Sequence, residues 1–156
     1  MPRLARIAFA RQICPGQTLT SPPSGVEFAT LQRVGEWEIR VTNEFLAWSK
    51  ELEQASMGQV VDAIDRLADA GPTLDRPLVD KLTASNIHNL KELRPGSAGR
   101  SEIRIIFVFD PWRSAILLLG GDKSGNWNGW YREAIPRAEE LYERYLKERE
   151  QEEADQ

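Results

Sequence analysis

The alternation of apolar and polar residues predicts secondary structure in the first half of the chain. From Glu36 to Thr42 every second residue is apolar, which is typical of a half-buried strand. Apolar residues then recur at helical spacing from Phe45 to Leu52 and from Val60 to Ala68, and the second run ends at Gly71-Pro72. We therefore predict a strand followed by two helices, which fold as a hairpin around Ala55–Gly58.

The second half of the chain reads as three strands. His88 to Arg94 is a candidate strand, and Ser101 to Phe109 is apolar on both faces apart from Arg104, as expected of a central strand. Asp110-Pro111-Trp112-Arg113 has Asp and Pro at its first two positions, which favours a tight turn. Ser114 to Leu119 would then return antiparallel.

The last predicted element is a helix. The stretch GDKSGNWNGWY is expected to be a loop or a frayed helix start, and Pro136 is expected to begin the helix proper. Its apolar stripe consists of Ala138, Leu141, Tyr142 and Tyr145. A stripe of this kind must be covered, in the simplest case by the domain's own sheet.

The order β-α-α-β-β-β-α predicts an α+β domain. We expect a two-helix hairpin packed on a small antiparallel sheet of three sequential strands, with the first strand at an edge and a C-terminal helix beside it. The domain is predicted to span residues 34–146. Residues 1–33 lack periodicity and are expected to be a disordered N-terminal extension, and residues 147–156 a charged C-terminal tail.

Composition indicates a cytoplasmic, single-domain protein. A chain of 156 residues suits one core, and one cysteine, Cys14, leaves no internal disulfide. No run approaches the ~18 apolar residues of a membrane span. Arg6 and Arg11 interrupt the apolar N-terminus and disfavour a secretory signal, although a transit peptide also fits this Arg-containing, acid-free segment.

The charge is unevenly distributed along the chain. The net charge is −4, yet residues 34–80 carry 4 basic and 10 acidic residues, whereas residues 81–132 carry 8 basic and 4 acidic ones. Because potential is set within about a Debye length, ~8 Å at physiological salt, a local basic face on an acidic body can bind phosphate. Charges scattered over a solvated surface remain the simpler alternative.

Several kinds of site are excluded by residue type and spacing. One His and one Cys cannot form a zinc cluster, and Gly120 to Ser124 lacks the spacing of a phosphate-binding loop. Cleaving RNA without a metal needs a base, an acid and cations that hold the phosphate. Residue types able to fill these parts are concentrated in one stretch: His88, Lys91, Glu92, Arg94, Arg104, Lys123 and Tyr131. Further candidates for RNA contact are Arg100 and the possible base-stacking residues Trp127 and Trp130.

Each candidate also has a purely structural interpretation. His88 fits the exposed start of a strand, and Glu92 and Arg94 share a strand face, where they can pair with each other. Lys91 has the opposite parity and would join them only across a bulge. The aromatic residues of the WNGWY stretch recur at the spacing of a core-facing helical turn. Arg104 is harder to explain structurally, because a buried guanidinium must be paired or face a cleft.

A combination of motifs resembles the RelE/HigB superfamily of toxins from type II toxin–antitoxin systems. The motifs are NLKELRPGSAGRSEIRIIFVF, AILLLGGDKSGNWNGWY and the IP-x-A-x-x-LY helix start, and the likeness spans roughly Trp37 to Leu146. It is closest to the phage-derived HigB-like subgroup. Any one of these motifs would be weak evidence, but their order and spacing together are fairly specific.

The resemblance implies a ribosome-associated mRNA endonuclease that works by 2′-OH attack without metal or cofactor. Arg94 and Arg104 would stabilise the phosphate, Lys91 or Glu92 would act as base, and Lys123 or Tyr131 would assist the leaving group. The sequence departs from the family's pattern in three respects. Glu92 stands where a basic residue is frequent, Lys123 replaces an Arg, and the chain is acidic whereas these toxins are usually basic.

The resemblance also implies partners and leaves alternatives. We expect a cognate antitoxin of the helix-turn-helix type, mRNA on the ribosome, no membrane, and oligomers only with the antitoxin. The C-terminal helix would pack on its own sheet or be held loosely, so that an antitoxin segment competes for its groove. The alternative function is a non-catalytic protein of the RelE/ParE fold, either a gyrase poison or a degenerate binding or regulatory module.

Overall fold

The computed structural model describes residues 28–30, 37–96 and 99–155, and for residues 28–30 it describes the backbone alone. The described strands and helices follow in chain order: β1 (Phe28–Thr30), β2 (Glu38–Thr42), α1 (Asn43–Ser49), α2 (Gln54–Ala70), β3 (Val79–Lys81), β4 (Lys91–Leu93), β5 (Ile103–Phe109), β6 (Ser114–Asp122) and α3 (Trp127–Ala154). A short 3₁₀ turn, Gly71–Thr73, follows α2.

The strands form one six-stranded sheet in the order β1-β2-β6-β5-β4-β3. Strands β2 and β6 pair in parallel, and the other neighbours are antiparallel. The predicted α+β class is therefore confirmed, as are the three sequential antiparallel strands β4, β5 and β6. The edge strands β1 and β3 were not predicted, and β2, which was expected at an edge, lies between β1 and β6.

Helices cover both faces of the sheet, and a hydrophobic core lies on each face. Successive residues of a strand point alternately into the two cores. On the α1–α2 face, Ile105 and Phe107 of β5 pack with the two helices. On the α3 face, Ile106 and Val108 pack with Leu141. These five residues are at most 1% exposed, which confirms β5 as a central strand buried on both sides.

Strand β6 contains a bulge that matters for the site. Ile106 pairs with Leu119 whereas the next residue, Phe107, pairs with Leu117, so β6 has one extra residue, Leu118. Beyond the bulge, Gly120 and Gly121 lie against tryptophans on opposite faces of the sheet. A Cβ atom built on Gly120 would lie 2.3 Å from the Trp48 ring, and one on Gly121 would lie 2.2 Å from Nε1 of Trp130.

The helices differ from the predicted bounds. The break between α1 and α2 falls at residues 50–53, and Ala55–Gly58 lies inside α2. Helix α3 starts at Trp127, so the predicted start at Pro136 is wrong and the proline lies within the helix. An interior proline removes one N–H donor and its ring crowds the carbonyl four residues earlier, at a cost of about 3 kcal/mol. Packing of the aromatic first turn on the sheet offsets this cost, so the helix begins earlier.

Residues 1–33 were predicted to be a disordered extension and residues 147–156 a charged tail. The described residues of the C-terminal segment continue α3 as far as Ala154, where a charged tail was expected. Within the predicted N-terminal extension, Phe28–Thr30 pairs with β2, and the rest of residues 1–33 lies outside the described residues. In the part of the chain that the structure describes, no helix is long and apolar enough to cross a membrane.

Candidate functional site

Glu92 is the centre of a polar cluster on the α3 face of the sheet. It lies in β4, opposite Ile106 of β5, and is only 2% exposed. Its Oε2 accepts a hydrogen bond of 2.6 Å from the Tyr131 hydroxyl, and its Oε1 accepts one of 2.9 Å from Nε of Arg94. The predicted pairing of Glu92 with Arg94 is therefore present, and Tyr131 of α3 completes it.

Arg94 also bonds to Asp80, a residue that the sequence reasoning missed. Asp80 lies directly opposite Glu92 on β3, and an Arg94 guanidinium nitrogen is 2.8 Å from Asp80 Oδ2. Burial alone would lower the pKa of Arg94, but the hydrogen bond and charge of Glu92, with the charge of Asp80, raise it. Two neighbouring carboxylates thus share one cation, and Arg94 keeps its charge.

Arg104 adds a second guanidinium on the same face. One of its nitrogens donates to the Ile103 carbonyl at 2.8 Å, and its Nε is buried without a hydrogen-bond partner. Burial first, and then the charge of Arg104, lower the pKa of Lys123. Arg104 therefore lies close enough to impose positive potential on the cluster while its own hydrogen-bonding capacity is incompletely used.

Lys123 belongs to the cluster but is covered. It is 2% exposed, and its Nζ lies 3.2 Å from the centroid of the Trp127 ring and 5.4 Å from that of Tyr131. Burial is the first cause that lowers the pKa of Lys123, and the charge of Arg104 is the second. The ammonium thus rests against aromatic faces rather than against the carboxylates.

The two tryptophans of the predicted RNA-binding set have different surroundings. Trp130 is half-buried, packs at Gly121, and meets the Tyr131 ring edge-on at 4.9 Å. Trp127 is 55% exposed, and its Nε1 donates to Glu102 Oε2 at 3.0 Å. The core-packing interpretation therefore fits Trp130, whereas Trp127 lies at the surface.

Three predicted site residues lie away from the cluster. Lys91 lies on the opposite face of β4 from Glu92, with Nζ 5.4 Å from the Phe109 ring, and no bulge separates it from its register partner in β5. His88 lies in an exposed turn because β4 begins only at Lys91. Arg100 lies in another exposed turn. Strand parity was thus a correct guide for Lys91.

The cluster is equipped to bind an anion and to move protons. Arg94 and Arg104 supply fixed positive charge beside a carboxylate that already accepts a hydroxyl hydrogen bond. Burial first, and then the hydrogen bond and charge of Glu92, raise the pKa of Tyr131 well above its ordinary value. Tyr131 therefore stays protonated at neutral pH as a hydrogen-bond donor. Among the described residues, no three His, Cys, Asp or Glu side chains are grouped to hold a metal ion.

Comparison with known proteins gives consistent matches. The family model for phage-derived Gp49-like proteins matches residues 47–143. A Mycobacterium tuberculosis protein named "Putative toxin HigB3" is 56% identical over 99 residues, which cover 64% of this chain and 84% of that protein. A second protein of the same organism, "Putative toxin HigB2", is 48% identical over 100 residues, which cover 64% of this chain and 50% of that protein. No solved structure gives a significant match.

Proposed function

Because the chain belongs to the family of phage-derived Gp49-like proteins, we propose that it is the toxin of a toxin–antitoxin system and cleaves mRNA on the ribosome. The names of the two relatives support the first part of this proposal. The second part rests on one observation, the group formed by Glu92, Tyr131 and Arg94 beside Arg104. Its partners would be a cognate antitoxin and the ribosome with its mRNA, in the cytoplasm.

Arg94 and Arg104 bind the scissile phosphate in this proposal. Guanidinium groups match phosphate oxygens geometrically and retain their charge, so they stabilise the additional negative charge of the transition state. Arg94 is part-exposed, with 33% of its side-chain surface accessible, and it can turn from Glu92 towards an incoming phosphate. That movement frees Oε1 of Glu92, which is otherwise inaccessible.

Glu92 and Tyr131 then carry the protons. Glu92 takes the proton of the RNA 2′-OH as that oxygen bonds to phosphorus, and the bond from phosphorus to the 5′-oxygen breaks. The Tyr131 hydroxyl turns from Glu92 to give its proton to the leaving 5′-oxygen. Water then returns a proton to Tyr131 and removes the one that Glu92 took. The products are a 2′,3′-cyclic phosphate and a 5′-hydroxyl, and both residues return to their initial states.

Lys123 contributes charge to the site although it is buried. Since it is buried under Trp127, it adds positive potential to the phosphate site without touching the substrate. The scheme uses side chains of this chain for every proton exchanged with the RNA and for every charge. Cleavage is therefore expected to need no metal ion bound by this protein.

Controlled expression in bacteria tests the proposal. Induction of the chain should stop growth, and the transcripts should be cut within translated regions. Arg104→Ala should abolish both effects. Arg66→Ala, which removes an exposed arginine from α2, is the matched control and should behave as the wild type.

Two other outcomes would contradict the proposal. Growth arrest with intact transcripts and inhibited supercoiling would identify a gyrase poison of the same fold. Unimpaired growth at high soluble expression, for the wild type as for Arg104→Ala, would identify a binding or regulatory protein. Thermal melting of each purified variant establishes that the comparison is made between folded proteins.

A further inference from the structure

Trp127 is unusual in its exposure. Among the described residues it is the one large apolar side chain that lies open to solvent, with 55% of its surface accessible. An isolated exposed apolar residue needs no special explanation. Trp127 calls for one because its indole is nevertheless held in place by two contacts.

One contact is below the ring and the other is at its edge. The Lys123 ammonium lies 3.2 Å from the ring centroid on the inner face, and Nε1 donates to Glu102 at 3.0 Å. Glu102 is itself fixed, because its N–H donates to Asp122 and its carbonyl accepts from the N–H of Lys123. Two contacts of different chemistry thus hold the plane of the indole.

The neighbours of Trp127 in the chain leave 55% of its surface accessible. The flanking residues Ser124, Gly125, Asn126 and Asn128 are exposed and small. Gly125 has φ +78°, a conformation in which a larger residue would be strained. The sequence thus keeps bulky side chains away from a flat, fixed, aromatic surface.

We propose that the outer face of Trp127 is a stacking site for a single nucleobase of the RNA, and that Lys123 and Glu102 are positioning residues that hold the indole for it. This inference rests on the proposed function and names the part of the substrate that this surface binds. Lys123 connects the site to the chemistry, since its Nζ is also 5.4 Å from the Tyr131 ring. The stacked base therefore belongs to a nucleotide beside the scissile phosphate.

Lys123 and Glu102 would strengthen stacking because they hold the indole in place before a base binds. An exposed tryptophan on an otherwise polar surface would lose rotamer freedom when a base stacks on it. Here that freedom is already restricted, so more of the stacking energy appears as affinity. Stacking tolerates any base. The affinity should therefore differ more between an RNA with a base and one without it than between RNAs with different bases at this position.

The test is a double-mutant cycle in which one change is made in the protein and the other in the RNA. Binding is measured with a short 2′-O-methyl oligoribonucleotide, which lacks the attacking hydroxyl, and with versions that carry an abasic nucleotide at each position in turn. In the wild type one abasic position should cost about tenfold to a hundredfold in affinity. In Trp127→Ala the same abasic position should cost nothing further, because the stacking partner is already absent.

Variants of Lys123 and Glu102 test whether these residues hold the indole or only stabilise the fold. Glu102→Ala and Lys123→Met should reduce the abasic penalty at that position. Glu102→Gln, which retains an acceptor for Nε1, and Lys123→Arg, which retains a cation, should largely restore it. Trp112→Ala, at a half-buried tryptophan in the β5–β6 turn, is the control and should leave the penalty unchanged.

The outcomes separate this inference from the proposed function. If the free oligonucleotide is not bound, the same cycle is run on the cleavage rate of ribosome-bound mRNA that carries the abasic nucleotides. An abasic penalty that persists undiminished in Trp127→Ala, with RNA binding or cleavage intact, overturns the stacking site alone. A wild-type protein that neither binds nor cleaves RNA in either assay overturns the proposed function and the stacking site with it.

Discussion

Glu92 shows how a buried charge is maintained in this protein. A carboxylate that is 2% exposed would be costly to ionise without partners, and Glu92 has a hydroxyl donor on one oxygen and a guanidinium on the other. Arg94 is shared with Asp80, so removal of one member leaves the others partly unpaired. The group should therefore respond to mutation as a unit, with non-additive effects.

Tyr131→Phe tests the role of the hydroxyl with little change of shape. If Tyr131 supplies the proton to the leaving oxygen, the cleavage rate should fall by about 10²–10⁴-fold while RNA affinity is nearly unchanged. Stability should fall by about 1–3 kcal/mol, because Glu92 loses a donor. Single-turnover cleavage of a ribosome-bound message measures the first effect, and chemical denaturation measures the second.

Tyr142→Phe is the matched control for this substitution. Tyr142 lies on the same helix, is half-buried and stacks on Tyr145. Its variant should cleave RNA as fast as the wild type. Equal rates for Tyr131→Phe and the wild type would remove Tyr131 from the proton pathway.

Part of the site followed from strand parity and part did not. Alternation correctly placed Glu92 and Arg94 on one face and Lys91 on the other. Asp80 and Glu102 were missed because their roles depend on long-range pairing. Asp80 lies in a strand of three residues, too short for a periodic pattern, and Glu102 acts through Trp127, which is 25 positions away.

At the scale of elements, the end of β6 determines how closely helices approach the sheet. Gly120 leaves room for Trp48 of α1, and Gly121 leaves room for Trp130 in the first turn of α3. Side chains at these positions would separate helix from sheet. The GG pair in the sequence therefore marks close packing on both faces rather than the end of the strand, since β6 continues to Asp122.

Gly121→Ala should displace the first turn of α3. The added Cβ would lie 2.2 Å from Nε1 of Trp130, so the indole must move, and Tyr131 with it. We expect a loss of about 1–3 kcal/mol in the free energy of unfolding. The rate of RNA cleavage should also fall.

Gly58→Ala is the control for this effect. Its Cβ would meet nothing within 4 Å, and the residue lies inside α2. Alanine should stabilise the helix there by about 0.5–1 kcal/mol. Equal stability changes in the two variants, measured by denaturation, would contradict the packing argument.

The sequence predicted the longer elements better than the short ones. The periodic patterns of α2 and β5 have a single interpretation, and both elements were found. Strand β5 lies close to its predicted bounds, whereas α2 begins earlier than predicted, at Gln54. The predicted start of helix α3 was too late because Pro136 resembles a first-turn proline. The local sequence could not show that the preceding WNGWY turn is stabilised by packing against Gly121.

Tyr145 anchors α3 to the β5–β6 turn and predicts a dependence of stability on pH. Its buried hydroxyl donates a short hydrogen bond to Asp110, which also accepts from the N–H groups of Trp112 and Ser114. Burial first, and then this hydrogen bond, raise the pKa of Tyr145 above its ordinary value of 10.0. Its contribution to stability is therefore complete below pH 10 and is lost as the pH rises further.

Tyr145→Phe should reveal that contribution. At pH 7 the variant should be less stable by about 1.5–3 kcal/mol, because a hydrogen bond to a carboxylate is lost. Above pH 10 the difference should shrink by about 1.4 kcal/mol per pH unit, since only the wild type must keep Tyr145 protonated. Urea denaturation between pH 7 and 11 measures the difference in the free energy of unfolding between the two proteins. A difference that stays constant with pH would contradict this role of Tyr145.

At the scale of the whole molecule, part of the charge asymmetry corresponds to the two faces of the sheet. The acidic stretch 34–80 includes both helices of one face, and the cationic residues of the site lie on the other. The apolar stripe of α3 is already occupied, since Ala138 and Leu141 are at most 1% exposed. This packing favours the first of the two expectations for α3. We therefore expect an antitoxin to bind over the cationic site rather than in the groove of α3.

Charge reversal at the site should weaken both of its expected interactions. Arg94→Glu with Arg104→Glu removes two cations from the face that meets phosphate and, on this view, the antitoxin. Complementary charge mainly accelerates association, so the association rate with the cognate antitoxin should fall at least about tenfold at low salt. The difference should narrow as salt is added, because exposed charges are screened beyond about 8 Å at physiological ionic strength.

A second double reversal separates local charge from net charge. Lys50→Glu with Arg66→Glu makes the same change in net charge at two exposed residues of the α1–α2 side. That variant should associate with the antitoxin at nearly the wild-type rate and should still cleave RNA. Stopped-flow association across a salt series, with cleavage assayed in parallel, makes the comparison. If both double variants slow association equally, the antitoxin responds to the charge of the whole protein, and the cationic site is not its docking surface.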